Sequence, residues 1–259
     1  MEQKELVSIV MPNYNCEKFV AETVKSVIEQ TYENWELLFV DDCSTDKSVE
    51  IVESFNDPRI RILKNEKNSG AALSRNYALR EAKGKWIAFL DSDDLWHKEK
   101  LEKQIAFMKE NGYAFSYTYY SIINANGKKA PYVYTGPKKV TRRKLFNYCY
   151  YSTITVMYDA DVVGLIQIED LKKNNDYAMW FEVSKKATCY RFEENLSTYC
   201  KREQSISSGS KLKLIKHHYI MFRKGLKKGR IASFFLTVNN MFFGVLKKIF
   251  YRKKHVEHN

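Results

Sequence analysis

The nine residues WIAFLDSDD, Trp86 to Asp94, place three carboxylates directly after a short apolar run. Such an uninterrupted run is typical of a strand buried on both faces of a parallel sheet. Working outward, similar runs at Leu6 to Met11, Trp35 to Val40 and Ile60 to Leu63 predict three more strands. Segments with helical spacing of apolar residues follow at Glu17 to Glu29, Asp46 to Phe55, Ser69 to Ala82 and Lys98 to Asn111.

This alternation predicts an α/β fold, with a Rossmann-like mixed sheet and helices on both faces. Ligands of such sheets bind outside the carboxyl ends of the strands. The pattern then changes, with strands predicted at Tyr113 to Ile123 and Thr153 to Tyr158 and a hairpin turn at Asn126-Gly127. Further helical patterns occupy Asp176 to Lys186, 211–229 and 231–251.

The positive charge of the 259-residue chain is concentrated near its C-terminal end. The net charge is +12, yet residues 1–200 hold 28 basic and 29 acidic residues, whereas residues 201–259 hold 15 basic and 2 acidic ones. We therefore expect a near-neutral catalytic body and a cationic helical tail at 211–259. The division argues against a nucleic-acid-binding protein, since the basic residues of the tail interleave with apolar ones and not with polar base-reading side chains.

Five scattered cysteines without a C-x-x-C pair predict neither a disulfide framework nor a structural zinc site, and they fit a reducing compartment. No positively charged segment leads into an apolar core at the N-terminus, so no signal peptide is predicted. The longest uncharged run, Ile231 to Leu246, falls short of the roughly 18 to 20 apolar residues that span a bilayer. We expect a cytoplasmic location without a transmembrane helix.

Two acidic clusters follow predicted strands. Asp41-Asp42 could accept hydrogen bonds from a nucleoside, or could help to cap the next helix. The carboxylates of Asp91 to Asp94 repel one another unless a cation or hydrogen-bond donors compensate. Hard oxygen ligands suit Mg²⁺ or Mn²⁺, which bridge to substrate phosphates. The alternative is an exposed acidic turn that caps the helix near His97.

The chain resembles the family 2 inverting glycosyltransferases, which have the GT-A fold. The resemblance covers about the first 200 residues and implies a catalytic domain at 1–210, with a nucleotide-binding half at 1–95 and an acceptor half at 96–210. Four motifs carry it, in this order: VSIVMPNYN at Val7 to Asn15, VDDCSTD at Val40 to Asp46, NSGAALSRNYAL at Asn68 to Leu79 and FLDSDD at Phe89 to Asp94.

The resemblance implies a nucleotide site. Pro12 and Tyr14 match the loop that packs against the base. Asp42, with Asp41 beside it, matches the carboxylate that reads uracil. Arg75 matches a basic residue near the nucleotide.

It also implies a metal site at the DxD motif. Asp93 is expected to ligate Mn²⁺ or Mg²⁺ directly, and Asp91 to lie nearer the ribose or the waters of the metal. The ion would neutralise charge that develops on the departing phosphate.

Inversion needs a carboxylate opposite the leaving group, to take the proton of the attacking hydroxyl. The family supplies it from an E-D-x-x-x-W element, which Asn175 to Trp180 matches. Asp176 is the implied base and Trp180 the implied acceptor-side aromatic, while Asn175 departs from the usual Glu. Two alternatives remain from the residues alone, namely Asp176 as a simple helix N-cap and Glu169-Asp170 as the source of the base.

Two basic features further along are ambiguous. Lys201 and Arg202 resemble the segment that closes over the diphosphate, but an exposed basic loop explains them equally well. His217-His218 could ligate a metal, although a solvated helix face is the favoured interpretation. The tail pairs Lys and Arg with aromatic and aliphatic residues, as a helix on an anionic leaflet does. Its apolar face could instead pack on the catalytic domain or on a second subunit, as in a homodimer.

The resemblance implies transfer of glucose or galactose from a UDP-sugar to an undecaprenyl-diphosphate-linked GlcNAc, with a β linkage, in O-antigen or capsule assembly at the cytoplasmic face of the bacterial inner membrane. A nucleotidyltransferase is the rival enzyme, but it would carry a Gly-rich basic phosphate loop after the first strand, which PNYNCEKF, 12–19, lacks. A catalytically silent nucleotide-binding scaffold is the rival from another class, and it would not need Asp176.

Overall fold

A computed structural model describes residues 5–124, 126–201 and 211–254, without the side chains of 211–213. Strands in these ranges form one mixed sheet. They are β1 (Val7–Asn13), β2 (Trp35–Asp41), β3 (Ile60–Lys64), β4 (Trp86–Phe89), β5 (Leu95–Trp96), β6 (Phe115–Ile123), β7 (Tyr132–Tyr134), β8 (Lys139–Val140), β9 (Val156–Asp159), β10 (Cys189–Cys200) and β11 (Arg252–Lys254). The α-helices are α1 (Val20–Ile28), α2 (Ser48–Glu53), α3 (Gly70–Glu81), α4 (Lys100–Asn111), α5 (Arg142–Leu145), α6 (Ala160–Val163), α7 (Asn175–Val183), α8 (Lys211–Ile220) and α9 (Arg230–Phe250).

The first half of the sheet is parallel, in the order β3, β2, β1, β4, as the alternation of strands and helices predicts. Strand β9 runs antiparallel between β4 and β6, and β10 runs parallel to β6. Strands β1 and β2 extend to Asn13 and Asp41, one or two residues beyond their predicted ends. The predicted strand at Thr153 to Tyr158 begins instead as a 3-10 turn, Thr153–Thr155.

The central strands are buried on both faces, because alternate side chains enter two separate core layers. In β1, Val10 packs into the layer that contains α7, whereas Ile9 and Met11 pack into the layer on the α1 and α4 side. The two layers cover the two faces of the sheet. The carboxyl ends of β1, β2 and β4 therefore share one edge where side chains can meet a ligand.

Residues predicted as a separate tail pack on the body. Helix α8 continues into a π-helical turn, Met221–Gly225, whose Met221 and Phe222 are buried in the core. Strand β11 pairs antiparallel with β7, so the end of the described chain joins the main sheet.

Helix α9 packs in the opposite sense to an ordinary surface helix, with its polar face inward and its apolar face outward. Its buried residues are Ser233, Thr237 and Asn240, which are small or polar. Most of its large apolar residues face outward, and seven of them are between 57% and 76% exposed: Ile231, Phe234, Phe235, Phe242, Val245, Ile249 and Phe250. Among the described helices, none combines the length and apolarity needed to cross a bilayer. The exposed fractions show that the apolar surface of α9 is open to solvent.

A buried lysine lies beside the core layer on the α1 and α4 side of the sheet. Lys100, at the start of α4, is 0% exposed, donates to Gln104 Oε1 at 2.8 Å and lies over the Trp96 ring. Gln104 in turn donates to Ser116 Oγ and to the carbonyl of Thr155. Burial lowers the pKa of Lys100 to about 7.

The pH dependence of stability should reveal this lysine. Between pH 7 and the ordinary pKa of 10.5 the unfolded chain binds the proton and the folded chain does not, so this group makes stability rise with pH. The Lys100→Met variant lacks that rise. Thermal melts should therefore show a melting-temperature difference, variant minus wild type, that is more positive at pH 6.5 than at pH 10. A difference that is constant with pH would contradict the buried, titrating state.

Candidate active site

The loops after β1 and β2 are tied together at the open edge of the sheet. Asp41 accepts from Asn13 Nδ2 at 3.0 Å and from the Ser44 backbone N–H at 3.1 Å. Asn15 donates its N–H to Ser44 Oγ at 3.0 Å. Asn15 and Cys43 both have positive φ, of 50° and 63°, a conformation that non-glycine residues rarely adopt and that often marks functional loops. The two loops thus form one cross-braced rim.

Pro12 and Tyr14 occupy different levels of this rim. Pro12 is buried within β1, opposite Val40 of β2, whereas Tyr14 is 50% exposed. The Tyr14 ring is therefore accessible at the rim, above Pro12, and its contact with a base stays a prediction.

Asp42 holds the N-terminus of α3. Its Oδ1 accepts from Asn65 Nδ2 at 2.7 Å and from the Ser69 N–H at 2.8 Å, and its Oδ2 accepts from the Gly70 N–H at 2.7 Å. The capping alternative is thus realised at α3, the second helix along the chain from Asp42, and not at α2. Oδ1 thus already accepts two hydrogen bonds, and only Oδ2 can accept a second. Asp42 is 3% exposed, and its contact with uracil stays a prediction.

Arg75, on α3, lies at the centre of the site. Its side chain is 8% exposed, and it donates from Nη2 to Asp91 Oδ1 at 2.5 Å and from Nη1 to Asn175 Oδ1 at 3.3 Å. Burial alone would lower the pKa of Arg75, but the nearby carboxylates of Asp91, Asp176 and Asp93 raise it above its ordinary value. The predicted donor and acceptor sides therefore share one cation.

The acidic cluster divides into two kinds of carboxylate. Asp94 is fully buried and accepts from the Cys200 N–H at 2.7 Å, which anchors the end of β10. Asp91 and Asp93 are only partly buried. The cluster is thus more than an exposed acidic turn, because one member organises the fold and two remain accessible.

Asp91 and Asp93 fit Mn²⁺ or Mg²⁺ by the chemistry of their donor atoms. Mg²⁺ is usually held by one or two carboxylates together with substrate phosphates and water. In the described ranges no three His, Cys, Asp or Glu side chains assemble a complete metal cluster. An ion here would therefore share its coordination with a diphosphate.

Asp176 lies in the first turn of α7, directly after the capping residue Asn174 and Asn175. Its Oδ2 accepts from Thr153 Oγ1 at 2.8 Å, and its Oδ1 accepts from the N–H of Tyr177 at 2.8 Å. A carboxylate in the first turn is favoured by the helix dipole. The N-cap position of α7 is occupied by Asn174, which has a φ of 59°, so Asp176 is not the N-cap. Glu169 and Asp170, the competing pair, are exposed.

Trp180 belongs to the core and not to a surface open to an acceptor. It is 0% exposed and packs edge-on against Phe89, with a ring-centroid distance of 5.4 Å, and against Phe115 and Tyr151. Trp180 lies one turn beyond Asp176 on α7, and its side chain packs on the sheet. Trp180 therefore packs α7 against the sheet and does not present its ring to an acceptor.

The remaining candidates lie around the site or outside the described residues. Lys201 is exposed at the end of β10, and Arg202 lies outside the described residues. The expectation of a solvated helix face is wrong for His218, which is buried, faces Tyr177, and lies 3.5 Å from Asn174 Nδ2 through Nδ1. Burial lowers the pKa of His218 to about 4 and leaves it neutral at pH 7.

The sequence does not predict the roles of Thr153 and of the Arg75–Asn175 pair. Thr153 lies in a segment with a strand-like pattern, and Arg75 and Asn175 are 100 positions apart along the chain. The replacement of the usual Glu by Asn at position 175 is the one available signal, because it marks a departure beside the implied base.

Strand-end carboxylates, a DxD pair and a helix-borne carboxylate on one parallel α/β edge define a sugar-nucleotide transferase of the GT-A type. The structure of Staphylococcus aureus TarS in complex with UDP-GlcNAc has a similar fold, with a TM-score of 0.70 over 92% of this chain and 72% of that one, at 22% identity. The model of glycosyl transferase family 2 matches residues 8–163. The chain belongs to glycosyl transferase family 2.

Two bacterial relatives are similar over nearly the whole chain. TuaG of Bacillus subtilis strain 168, a glycosyltransferase assigned to teichuronic acid biosynthesis, is 39% identical over 85% of this chain and 88% of its own length. WfgD of Escherichia coli is 37% identical over 95% of this chain and 96% of its own length. WfgD is named a UDP-Glc:α-D-GlcNAc-diphosphoundecaprenol β-1,3-glucosyltransferase. The family, the enzyme class and the α/β fold predicted from the sequence are thus confirmed.

The Asp176→Asn variant should separate catalysis from nucleotide binding. The amide keeps the size of the side chain but cannot take a proton, so we expect transfer to fall roughly 10²- to 10⁴-fold. UDP affinity, measured by calorimetry, should stay at the wild-type value.

Asp170→Asn is the matched control, since it removes an exposed carboxylate from the same region. Full activity of Asp176→Asn, or an equal loss in both variants, would contradict the assignment of the base.

Proposed function

We propose that the protein transfers glucose or galactose from a UDP-sugar to a lipid-linked acceptor of the GlcNAc-diphosphate-undecaprenol type. The product has a β linkage and belongs to a bacterial surface polysaccharide such as O-antigen or capsule. The observation that carries the proposal is the carboxylate of Asp176, which joins Asp91 in the electrostatic environment of Arg75. The printed name of WfgD supports this donor and acceptor class.

In this reaction Asp176 takes the proton of an acceptor hydroxyl as its oxygen attacks the anomeric carbon. The new carbon–oxygen bond forms while the bond to the β-phosphate oxygen breaks, and UDP leaves with the electron pair. Attack opposite the leaving group inverts the α-linked sugar to a β product. The Thr153 hydroxyl, 2.8 Å from Oδ2, keeps the carboxylate oriented. A bound Mn²⁺ or Mg²⁺ on Asp93 and Asp91 would supply positive charge to the diphosphate.

Family membership favours glycosyl transfer over nucleotidyl transfer. A catalytically silent nucleotide-binding scaffold would need only the rim formed by the loops after β1 and β2, and not Asp176. A donor screen with Mn²⁺ and a synthetic GlcNAc-diphosphate-lipid acceptor tests the proposal directly. We expect UDP-glucose or UDP-galactose to be consumed, with a β-linked product identified by NMR, and GDP-sugars to be inert. Failure of every UDP-sugar to react would remove the proposal.

We further propose that the protein works at the cytoplasmic face of the inner membrane, with the outer face of α9 on an anionic leaflet. Support comes from the seven exposed apolar residues of α9 and from the basic residues at its ends that face solvent, Arg230, Lys248 and Arg252. Apolar surface gives burial in the headgroup region, and flanking cations attract anionic lipid. A second copy of the chain covering the same face is the alternative.

Because the inner face of α9 packs on the body, surface substitutions test this location better than truncation. The Phe235→Glu, Phe242→Glu variant should lose cosedimentation with phosphatidylcholine vesicles that contain phosphatidylglycerol, by about tenfold or more, since each buried Phe contributes about 1.5 to 3 kcal/mol. Val162→Glu, Leu165→Glu is the control, as it alters exposed apolar residues elsewhere on the body. Unchanged vesicle binding of the α9 variant would count against the proposed membrane location. So would a concentration-dependent dimer of the wild type that the α9 substitutions dissociate.

A further inference from the structure

Helix α9 runs alongside the segment 145–150. Asn239 donates to the Phe146 carbonyl at 3.2 Å, and Lys247 Nζ donates to the Cys149 carbonyl at 3.3 Å. Between these contacts Gly244 lies against Tyr148, so closely that a Cβ there would be 2.9 Å from the Tyr148 ring. The helix therefore follows this segment over two turns and holds it in place.

The same segment leads into the site. Three residues after Tyr150 comes Thr153, whose hydroxyl holds Asp176. Asn240 of α9 also donates to the Tyr177 hydroxyl at 2.8 Å, on the residue that follows Asp176. The inner face of α9 thus packs both on the segment that leads to Thr153 and on helix α7, which carries Asp176.

Lys247 is a cation on the inner face of α9. Its ammonium group lies over the Tyr148 ring, with Nζ 5.1 Å from the ring centroid, and no carboxylate of the described residues lies within ion-pair distance of it. Beside it the Cys149 thiol has a pKa raised to about 12, by burial and then by Asp176, while Lys247 opposes the rise. Asp176 and Lys247 therefore act on one common neighbour.

Holding this ammonium group without a counter-anion is costly. Burial lowers the pKa of Lys247 to about 8, because desolvation disfavours the charged form. An anionic ligand would offset that cost through a charge-assisted hydrogen bond.

We propose that Lys247 binds a phosphate group of the diphosphate in the lipid-linked acceptor. This inference rests on the proposed function, because it concerns the acceptor named there. The diphosphate is attached to the sugar whose hydroxyl meets Asp176, so the anion must lie within one sugar of the base. From the same helix, the apolar outer face is directed to the bilayer that holds the lipid chain.

The test compares two acceptors, GlcNAc-diphosphate-alkyl and GlcNAc-alkyl without the diphosphate. Lys247→Met should raise KM for the diphosphate acceptor roughly tenfold or more, the size of a lost charge-assisted contact. It should leave KM for the UDP-sugar and the efficiency with GlcNAc-alkyl unchanged. Lys247→Arg should retain most of the affinity, and Lys224→Met, which removes the same charge from an exposed position in the π-helical turn before α9, should match wild type.

Equal losses with both acceptors would indicate a structural role and overturn the proposal, as would a rise confined to the UDP-sugar KM or an unchanged KM. Calorimetric binding of GlcNAc-diphosphate-alkyl to the UDP-saturated protein keeps the two proposals distinguishable. If wild type binds this compound, Lys247→Met binds it tenfold less well and neither transfers, the acceptor contact stands and the transferase proposal fails. If wild type and Lys247→Met bind it equally, the Lys247 proposal fails whatever the activity.

Discussion

The buried guanidinium of Arg75 is the interaction on which the site depends. It neutralises Asp91 at the end of the central sheet, reaches Asn175 at the start of α7, and lies in the field of Asp176 and Asp93. Without this cation, three carboxylates would face one another in a partly buried edge at high electrostatic cost. Because Arg75 is on α3, the carboxylate of Asp42, which caps α3, indirectly sets the position of that cation. The rim formed by the loops after β1 and β2 is therefore coupled to helix α7 through α3 and the side chain of Arg75.

The elements that the sequence predicts correctly are those with local signals. Buried parallel strands have apolar runs, and the order of these runs is enough to place Asp41, Asp42, Asp91 and Asp93 on one edge of the sheet. Strand β10 escapes prediction because CYRFEENLSTYC has no apolar run and its register shifts near Asn195 break the alternation. Strand β11, made of Arg252 to Lys254, has no hydrophobic signal at all and exists through pairing with β7.

Contacts between distant residues explain what the sequence does not predict. The pairing of Arg75 with Asn175 and of Asn240 with Tyr177 depends on how helices pack, which periodicity does not report. Periodicity also reveals that α9 has an apolar face but not which way that face points. In this molecule the polar face is inward, because Asn239, Asn240 and Lys247 hydrogen-bond to the body. Trp180 illustrates the converse, since its motif position implies ligand contact and the packing of α7 buries it.

Strand β11 has a consequence for the solubility of the molecule. An open sheet offers unpaired backbone groups at its outer strand, which invites pairing with other chains. Here the place beside β7 is taken by three consecutive basic residues, all exposed, so the outermost strand on this side is short and strongly cationic. Like charges repel a second copy that approaches edge to edge. The same positive charge that suits an anionic surface thereby also protects the sheet from aggregation.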